Sequence, residues 1–403
     1  MASRDDPRIL RPDTLAMTAT LAMLTAIGPV STDMYLPGLP AIADGLGTDV
    51  RGAQLTLSVF LVGFACGQFW YGPLSDRVGR RPVLLFGLGL FSVATLACLL
   101  AQDIATLVVA RFVQALGAAA PVVLGRAVVR DLYDGARAGR ELSRMGTIMG
   151  LAPAIAPVLG GLILLAADWR AIFGVILFAA AALAFHVARN LPETLRARSP
   201  EPLSIGAIFR GFGPLLANGD YRTSVALSTL AYGGLFAFIS GSSFVLQEKY
   251  GLSEIAFGLS FGFVVLGYIA GTLIAQRLFS LRGLDGVIAP GVICLAAGGA
   301  GMLALALVDT GSSLEVTLPM AVYGLGLGLT MPQAMAKAMS PFPERAGAAS
   351  SLLGMWQMGF AALIGIALAA ALRVTALALP VFIAALGVAA CALFLLSRPR
   401  ARL

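Results

Sequence analysis

Of 403 residues, 58% are hydrophobic and only 12% charged, about half the charged share of a soluble domain, and the mean hydropathy is +0.88. This composition excludes a water-soluble globule and makes the bilayer the solvent. The net charge of +7 would suit a nucleic-acid binder if the chain were soluble, but here the basic residues follow membrane topology.

A helix needs about 20 apolar residues to cross a hydrocarbon core. Runs of that kind are predicted near 14–35, 53–73, 83–101, 105–127, 144–166 and 169–189. The first follows a short polar start and lacks a small-residue cleavage site, so it is expected to stay as a helix rather than leave as a signal peptide. The stretch 190–220, with Arg196, Arg198, Pro200, Pro202 and Arg210, reads as a polar cytoplasmic linker. Six more runs follow near 221–246, 255–279, 286–308, 314–338, 347–371 and 375–396. The expected fold is an all-α integral membrane protein of twelve transmembrane helices. They would form two pseudo-symmetric six-helix bundles, 1–189 and 221–403, with substrate bound between the repeats near the membrane midplane.

Placing the amino terminus inside puts 23 of the 28 Lys and Arg on one face and leaves Arg51, Arg170, Lys249 and Arg373 opposite, with Arg111 inside a helix. This bias predicts that both termini lie in the cytoplasm. Cys66, Cys98, Cys294 and Cys391 all fall in apolar runs, which suggests neither a disulfide framework nor a metal cluster. His186 has no second ligand type near it in the sequence and reads as non-functional.

Ionisable groups within a span mark pathways or proton sites. Asp33 in the first helix and Arg111 in the fourth are the two such residues of the first half. Asp33 stands near the end of its run, where it could face interfacial water. If Pro37 and Pro40 only kink the helix, the run continues towards Asp44 and Asp33 lies deeper. With both side chains facing inward, Asp33 and Arg111 would share one end of the bundle and pair. Burial favours a neutral carboxyl and a nearby guanidinium favours the carboxylate, so small rearrangements would switch the proton. Gln68 and Gln114 are candidate polar neighbours. The second half has no comparable acid, and Lys337 is expected to reach water. That half would instead supply an adaptable apolar substrate surface from Tyr232, Phe236, Tyr323, Met331, Trp356, Gln357 and Met358, with Tyr35 contributing from the first half.

Between the second and third runs stands GPLSDRVGRRP, Gly72 to Pro82. It reads as a tight turn in which Gly72 and Gly79 relieve backbone crowding, Asp76 accepts from a helix amino terminus and the arginines pair with acids. Its spacing resembles the signature loop of the major facilitator superfamily. In that family the loop locks the two halves, which implies a gating role for Gly72, Asp76, Arg77, Gly79, Arg80 and Arg81 facing the Glu344–Ser351 region. The equivalent loop of the second half, GTLIAQRLFSLRG, has Gln276 where an acid would be expected, implying a weaker lock. The fourth run, ARFVQALG, resembles the family motif whose membrane arginine falls on Arg111, with Gln114 and Gly117 after it. GTIMGLAPAIAPVLGG resembles the antiporter motif through Gly146, Gly150, Pro153, Pro157, Gly160 and Gly161. Ala156 before the second proline, and STDMYLPGLPAI in the first helix, are similar to the bicyclomycin and chloramphenicol resistance group of drug:proton antiporters.

This resemblance implies a monomeric, proton-driven efflux antiporter of the bacterial inner membrane. It would carry drugs or related amphipathic small molecules, with protons and lipid as its other partners and neither a cofactor nor nucleic acid. A carrier of a sugar, an amino acid or another metabolite is the alternative. A membrane enzyme or receptor is more distant, because no clustered nucleophile, base or metal ligands are present. There is also no Walker loop for ATP.

Overall fold

The computed structural model describes residues 10, 12, 14–133, 135–195, 205–342 and 346–397. Among them every regular element is a helix. Helix α1 (Leu15–Asp33) passes through a 3-10 turn at Leu36–Gly38 into the short α2 (Leu39–Gly45). Then come α3 (Val50–Val78), α4 (Arg80–Leu99), α5 (Ile104–Leu132), α6 (Gly135–Leu164) and α7 (Trp169–Asn190). Next are α8 (Ile205–Ala217), α9 (Gly219–Phe244), α10 (Glu254–Val308), α11 (Leu314–Met339), α12 (Ala346–Leu372) and α13 (Ala378–Ser397).

Ten of these segments are long and apolar enough to cross a membrane. One of them, α10, runs for 55 residues and breaks at Gly283, where φ is 65°, so it supplies two crossings. With α6, whose apolar part is Ala152–Leu164, the crossings number twelve. The protein is a multi-pass membrane protein. The predicted linker contains α8, a helix the polar reading of 190–220 did not anticipate. Its apolar residues recur at helical spacing, and Phe212 and Leu215 are buried where α8 packs on α9 and α12.

Two compact units form, Met1–Thr48 with Val59–Leu203, and Asp49–Ser58 with Ser204–Leu403. In the first, α1 lies along α6 and also touches α5 and α7, while α4 packs on α5 and α7. In the second, both parts of α10 pack on α11, and α9 touches α11, α12 and α13. The first turns of α3 belong to this second unit. Gln54 Nε2 donates to the Ser240 carbonyl at 2.8 Å, and Arg373 Nε lies 3.2 Å from Asp49 Oδ2.

Candidate functional site

Because the first crossing continues to Gly45, the helix break falls inside it. Asp33, the last residue of α1, lies twelve residues before Gly45, about 18 Å along the chain at ~1.5 Å per residue. This is the deeper of the two placements open to it. The side chain is 5% exposed, and Thr32 Oγ1 donates to Oδ1 at 3.3 Å. Gly160 of α6 sits directly over the break. A Cβ at that position would lie 1.8 Å from the Met34 carbonyl oxygen and 3.0 Å from Pro37, so only glycine lets α6 come this close. Gly160 of the antiporter-like motif is thereby tied to the residue after the acid. Pro153 and Pro157 lie within α6 without ending it. Gly146 and Gly150 are in the same helix, and Gly161 is buried beside Gly160.

Arg111 is fully buried. Its guanidinium lies 4.4 Å from the ring centres of both Tyr35 and Phe60, and 5.9 Å from that of Phe173. Nη1 donates to the Ser31 carbonyl at 3.2 Å and to Gln114 Oε1 at 2.6 Å. Gln114 Nε2 in turn donates to Thr95 Oγ1 at 2.7 Å. Nε and Nη2 have no acceptor among the described residues. The expected ion pair with Asp33 is absent, and the link is indirect, through Ser31 two residues before the acid. A buried, uncompensated charge costs several kcal/mol, and desolvated cation–π contacts offset about 2 kcal/mol of that. The site therefore holds a cation with unused donors close to a buried acid. Gln68, the other polar neighbour proposed from sequence, is half-buried and does not join this network.

The signature loop is mostly helix. Gly72 and Asp76 lie in α3, and the turn is reduced to Gly79. There φ is 120°, a region open to glycine, and a Cβ would meet Glu193 Oε2 at 2.6 Å. At Gly72 a Cβ would meet nothing within 4 Å, so it relieves no crowding. Arg80 is the hub. Its Nη1 is 2.5 Å from Asp76 Oδ1 and donates to Ser75 Oγ at 2.6 Å, while Nε donates to Asp131 Oδ2 at 2.9 Å. The backbone N–H groups of Arg80 and Arg81 donate to Glu193 at 2.9 and 3.2 Å. Arg81 also donates to the Ala188 carbonyl, and Thr194 donates to Asp131 at 3.1 Å. Arg77 is half-buried and has no partner among the described residues. Glu344, part of the region expected to face Asp76, lies outside the described residues.

Sequence reasoning missed Asp131 and Glu193. The available signal was their position, an acid just inside or just beyond the ends of two helices that flank a basic loop. It also missed the aromatic cage, since Phe60 and Phe173 carry no pattern that distinguishes them from packing residues. His186 is not isolated, with Nε2 3.0 Å from Thr20 Oγ1 and Nδ1 3.0 Å from Asn190 Nδ2. Several substrate-surface candidates prove to be packed inside their units. Tyr35 and Tyr323 are fully buried and Phe236 is 3% exposed. The Tyr323 hydroxyl donates to the Ala231 carbonyl at 3.3 Å, and Gln357, also buried, donates to Ser228 Oγ at 2.6 Å. Tyr232, Met331 and Met358 are half-buried, and Trp356 is exposed. Lys337 is paired with Asp285 at 2.6 Å.

The sequence profile described as Major Facilitator Superfamily matches residues 21–366. A transporter of Bacillus subtilis named uncharacterized MFS-type transporter YdgK is 36% identical, over 85% of each chain. A bicyclomycin resistance protein homolog of Haemophilus influenzae is 31% identical, over 87% of this chain and 88% of its own. Multidrug resistance protein D of Escherichia coli is 30% identical, over 83% of each chain. Among solved structures, the xylose transporter XylE of E. coli has a TM-score of 0.73 at 14% identity, covering 95% of this chain and 97% of that one.

Proposed function

Because this chain belongs to the major facilitator superfamily, we propose that it exports drugs or related amphipathic small molecules from the bacterial cytoplasm in exchange for incoming protons. The cargo class is supported by relatives named for bicyclomycin and multidrug resistance. The observation that carries the proton assignment is the buried carboxyl of Asp33 at a helix break, two residues from the Ser31 carbonyl held by Arg111, a buried guanidinium with two donors unanswered among the described residues.

Asp33 takes the proton, and Arg111 sets the moment of release. When the break shifts, Arg111 Nε or Nη2 donates to the Asp33 carboxylate, which favours loss of the proton. When the break relaxes, the carboxyl is left with only its hydroxyl partner and is neutral. Alternating access then links proton loading to the direction in which substrate leaves. The Arg80 hub, with Asp76, Asp131 and Glu193, governs this exchange of states. Tyr232, Met331, Trp356 and Met358 are the candidate surface for substrate in the second unit. The chain works as a monomer in the inner membrane, both termini cytoplasmic, driven by the proton gradient and without a cofactor.

The test is a resistance and efflux panel in a host lacking its own exporters, with and without a protonophore, using chloramphenicol and ethidium as probes. Wild-type protection should vanish on collapse of the gradient. Asp33→Asn should behave like the empty vector. Export by Asp33→Asn that still depends on the gradient would show that the proton sits elsewhere.

A further inference from the structure

Helix α5 is covered by its own unit almost throughout. Gly117 packs on Phe91 of α4, Gly125 on Leu21 and Thr25 of α1, and Ala119 on Gly67 of α3. Between Val109 and Arg126 no residue of this helix is exposed, and at Arg126 exposure returns. Arg126 follows Ala119 by seven residues, two turns on and within ~20° of the same azimuth at ~100° per residue. The face that α3 closes at Gly67 is thus open two turns further along α5. This opening is not the apolar groove that Val109 lines with Val93 and Ala97 of α4. The seventeen residues from Val109 to Arg126 carry the arginine about 100° round the helix from that groove.

Six residues separate Arg126 from Leu132, the last of α5, about 9 Å at ~1.5 Å per residue. At 29 residues α5 overhangs a ~30 Å hydrocarbon core, so Arg126 stands near one boundary of that core. Arg130, one turn on, is exposed as well. Neither has a hydrogen bond or an ion pair among the described residues, and the charge that acts on Arg126 is the like charge of Arg130. Like charges four residues apart on a helix repel. The acids at this end are engaged elsewhere. Asp131 meets Arg80 and Thr194, Glu193 accepts from the N–H groups of Arg80 and Arg81, and Glu141 accepts from Thr18. From Ala115 to Gly125 every residue of α5 is apolar, and Val123, one turn before Arg126, is half-buried.

We propose that Arg126, with Arg130, binds the oxyanion of an amphipathic cargo, a carboxylate or a sulfonate, at the cytoplasmic mouth of the carrier. The inference rests on the reading of this chain as an exporter with cytoplasmic termini and names a cargo class within it. A guanidinium presents a planar fork that matches a carboxylate in a bidentate pair. An anion between the two arginines answers both and removes their repulsion, while Val123 receives the apolar body. The phosphate of an inner-leaflet phospholipid offers the same oxyanion chemistry. Cargo is favoured because the opening lies on a different face of α5 from the apolar groove.

The experiment is equilibrium binding to the purified full-length protein in phosphatidylcholine nanodiscs, followed by fluorescence anisotropy, with carboxyfluorescein as the anionic probe and ethidium as the cationic one. Wild type should bind carboxyfluorescein. Arg126→Gln should raise its Kd, relative to that of ethidium, about tenfold or more, the scale of one lost hydrogen bond to a charged group. Arg126→Lys, which keeps the charge without the fork, should fall between the two. Wild type that binds ethidium but not carboxyfluorescein, or a ratio of the two Kd values unchanged in Arg126→Gln, overturns this inference alone. Phosphatidylglycerol added to the nanodiscs tests the other source. If it weakens carboxyfluorescein binding in wild type but not in Arg126→Gln, the site holds a lipid headgroup and the cargo assignment is overturned. If wild type binds carboxyfluorescein through Arg126 and yet inside-out vesicles move neither probe under a proton gradient, it is the exporter reading that fails, and the cargo assignment with it.

Discussion

Arg111 shows how much a single residue can ask of its surroundings. Tyr35 and Phe60 supply two π faces, Ser31 a carbonyl and Gln114 an amide oxygen that Thr95 holds in place. Lysine can keep the charge but not the plane that stacks between two rings. Arg111→Lys should therefore fold and cut gradient-driven export about tenfold or more, the equivalent of ~1.4 kcal/mol, as measured by ethidium efflux at matched expression. Gln114→Leu takes away one of the two acceptors of Nη1 and leaves the Thr95 hydroxyl without its donor. Such a loss at a charged, buried group costs about 1–3 kcal/mol, and thermal unfolding of the purified protein should show it. A melting curve unchanged from wild type would mean that the amide is dispensable to the cage.

For the helices, function depends on where backbones approach and where they break. Gly160 lets α6 touch the carbonyl of Met34, and Gly79 lets α3 turn into α4 in a single residue. Gly160→Ala inserts a methyl against backbone that has little room to yield, an overpacking of about 1–3 kcal/mol. It should lower export even though alanine is the better helix former. Gly174→Ala in α7, where a Cβ would meet only Leu99 at 4.0 Å, is the matched control and should export normally. Equal export by the two variants would remove the steric link between α6 and the acid. Gly79→Ala faces both a left-handed φ and the Glu193 carboxylate. A cost of about 1–3 kcal/mol for the backbone alone should appear as a lower melting temperature, whereas Gly72→Ala, with open space, should leave it unchanged.

At the scale of the whole molecule, twelve crossings and the distribution of Lys and Arg predict that both termini lie on the cytoplasmic side. With Cys66, Cys98, Cys294 and Cys391 replaced, Ser397→Cys should react with a membrane-impermeant maleimide only in inside-out vesicles, and Ser312→Cys only in right-side-out cells. Labelling with the opposite sidedness would invert both termini. The two compact units do not divide the chain at one point, since Asp49–Ser58 joins the second unit while the rest of α3 stays with the first. One helix thus belongs to both, and a hydropathy profile has no means of showing this.

Crossing number, the two intramembrane charges, the glycine-bearing loop and the small-residue face of α6 were all legible in the sequence. Each is a local consequence of putting a polar backbone and ionisable side chains into lipid. Apolar length, spacing of small residues and the rarity of charge need no partner to be read. Tertiary structure decided which groups meet. It gave Arg111 a carbonyl and two rings instead of Asp33, buried Tyr35 and Tyr323 as packing, joined Arg80 to Asp131 and Glu193 across more than fifty residues of chain, and set Glu141 against Thr18. Such contacts depend on how helix faces rotate and how closely backbones pack, and the sequence expresses that only through side chains scattered along the whole chain.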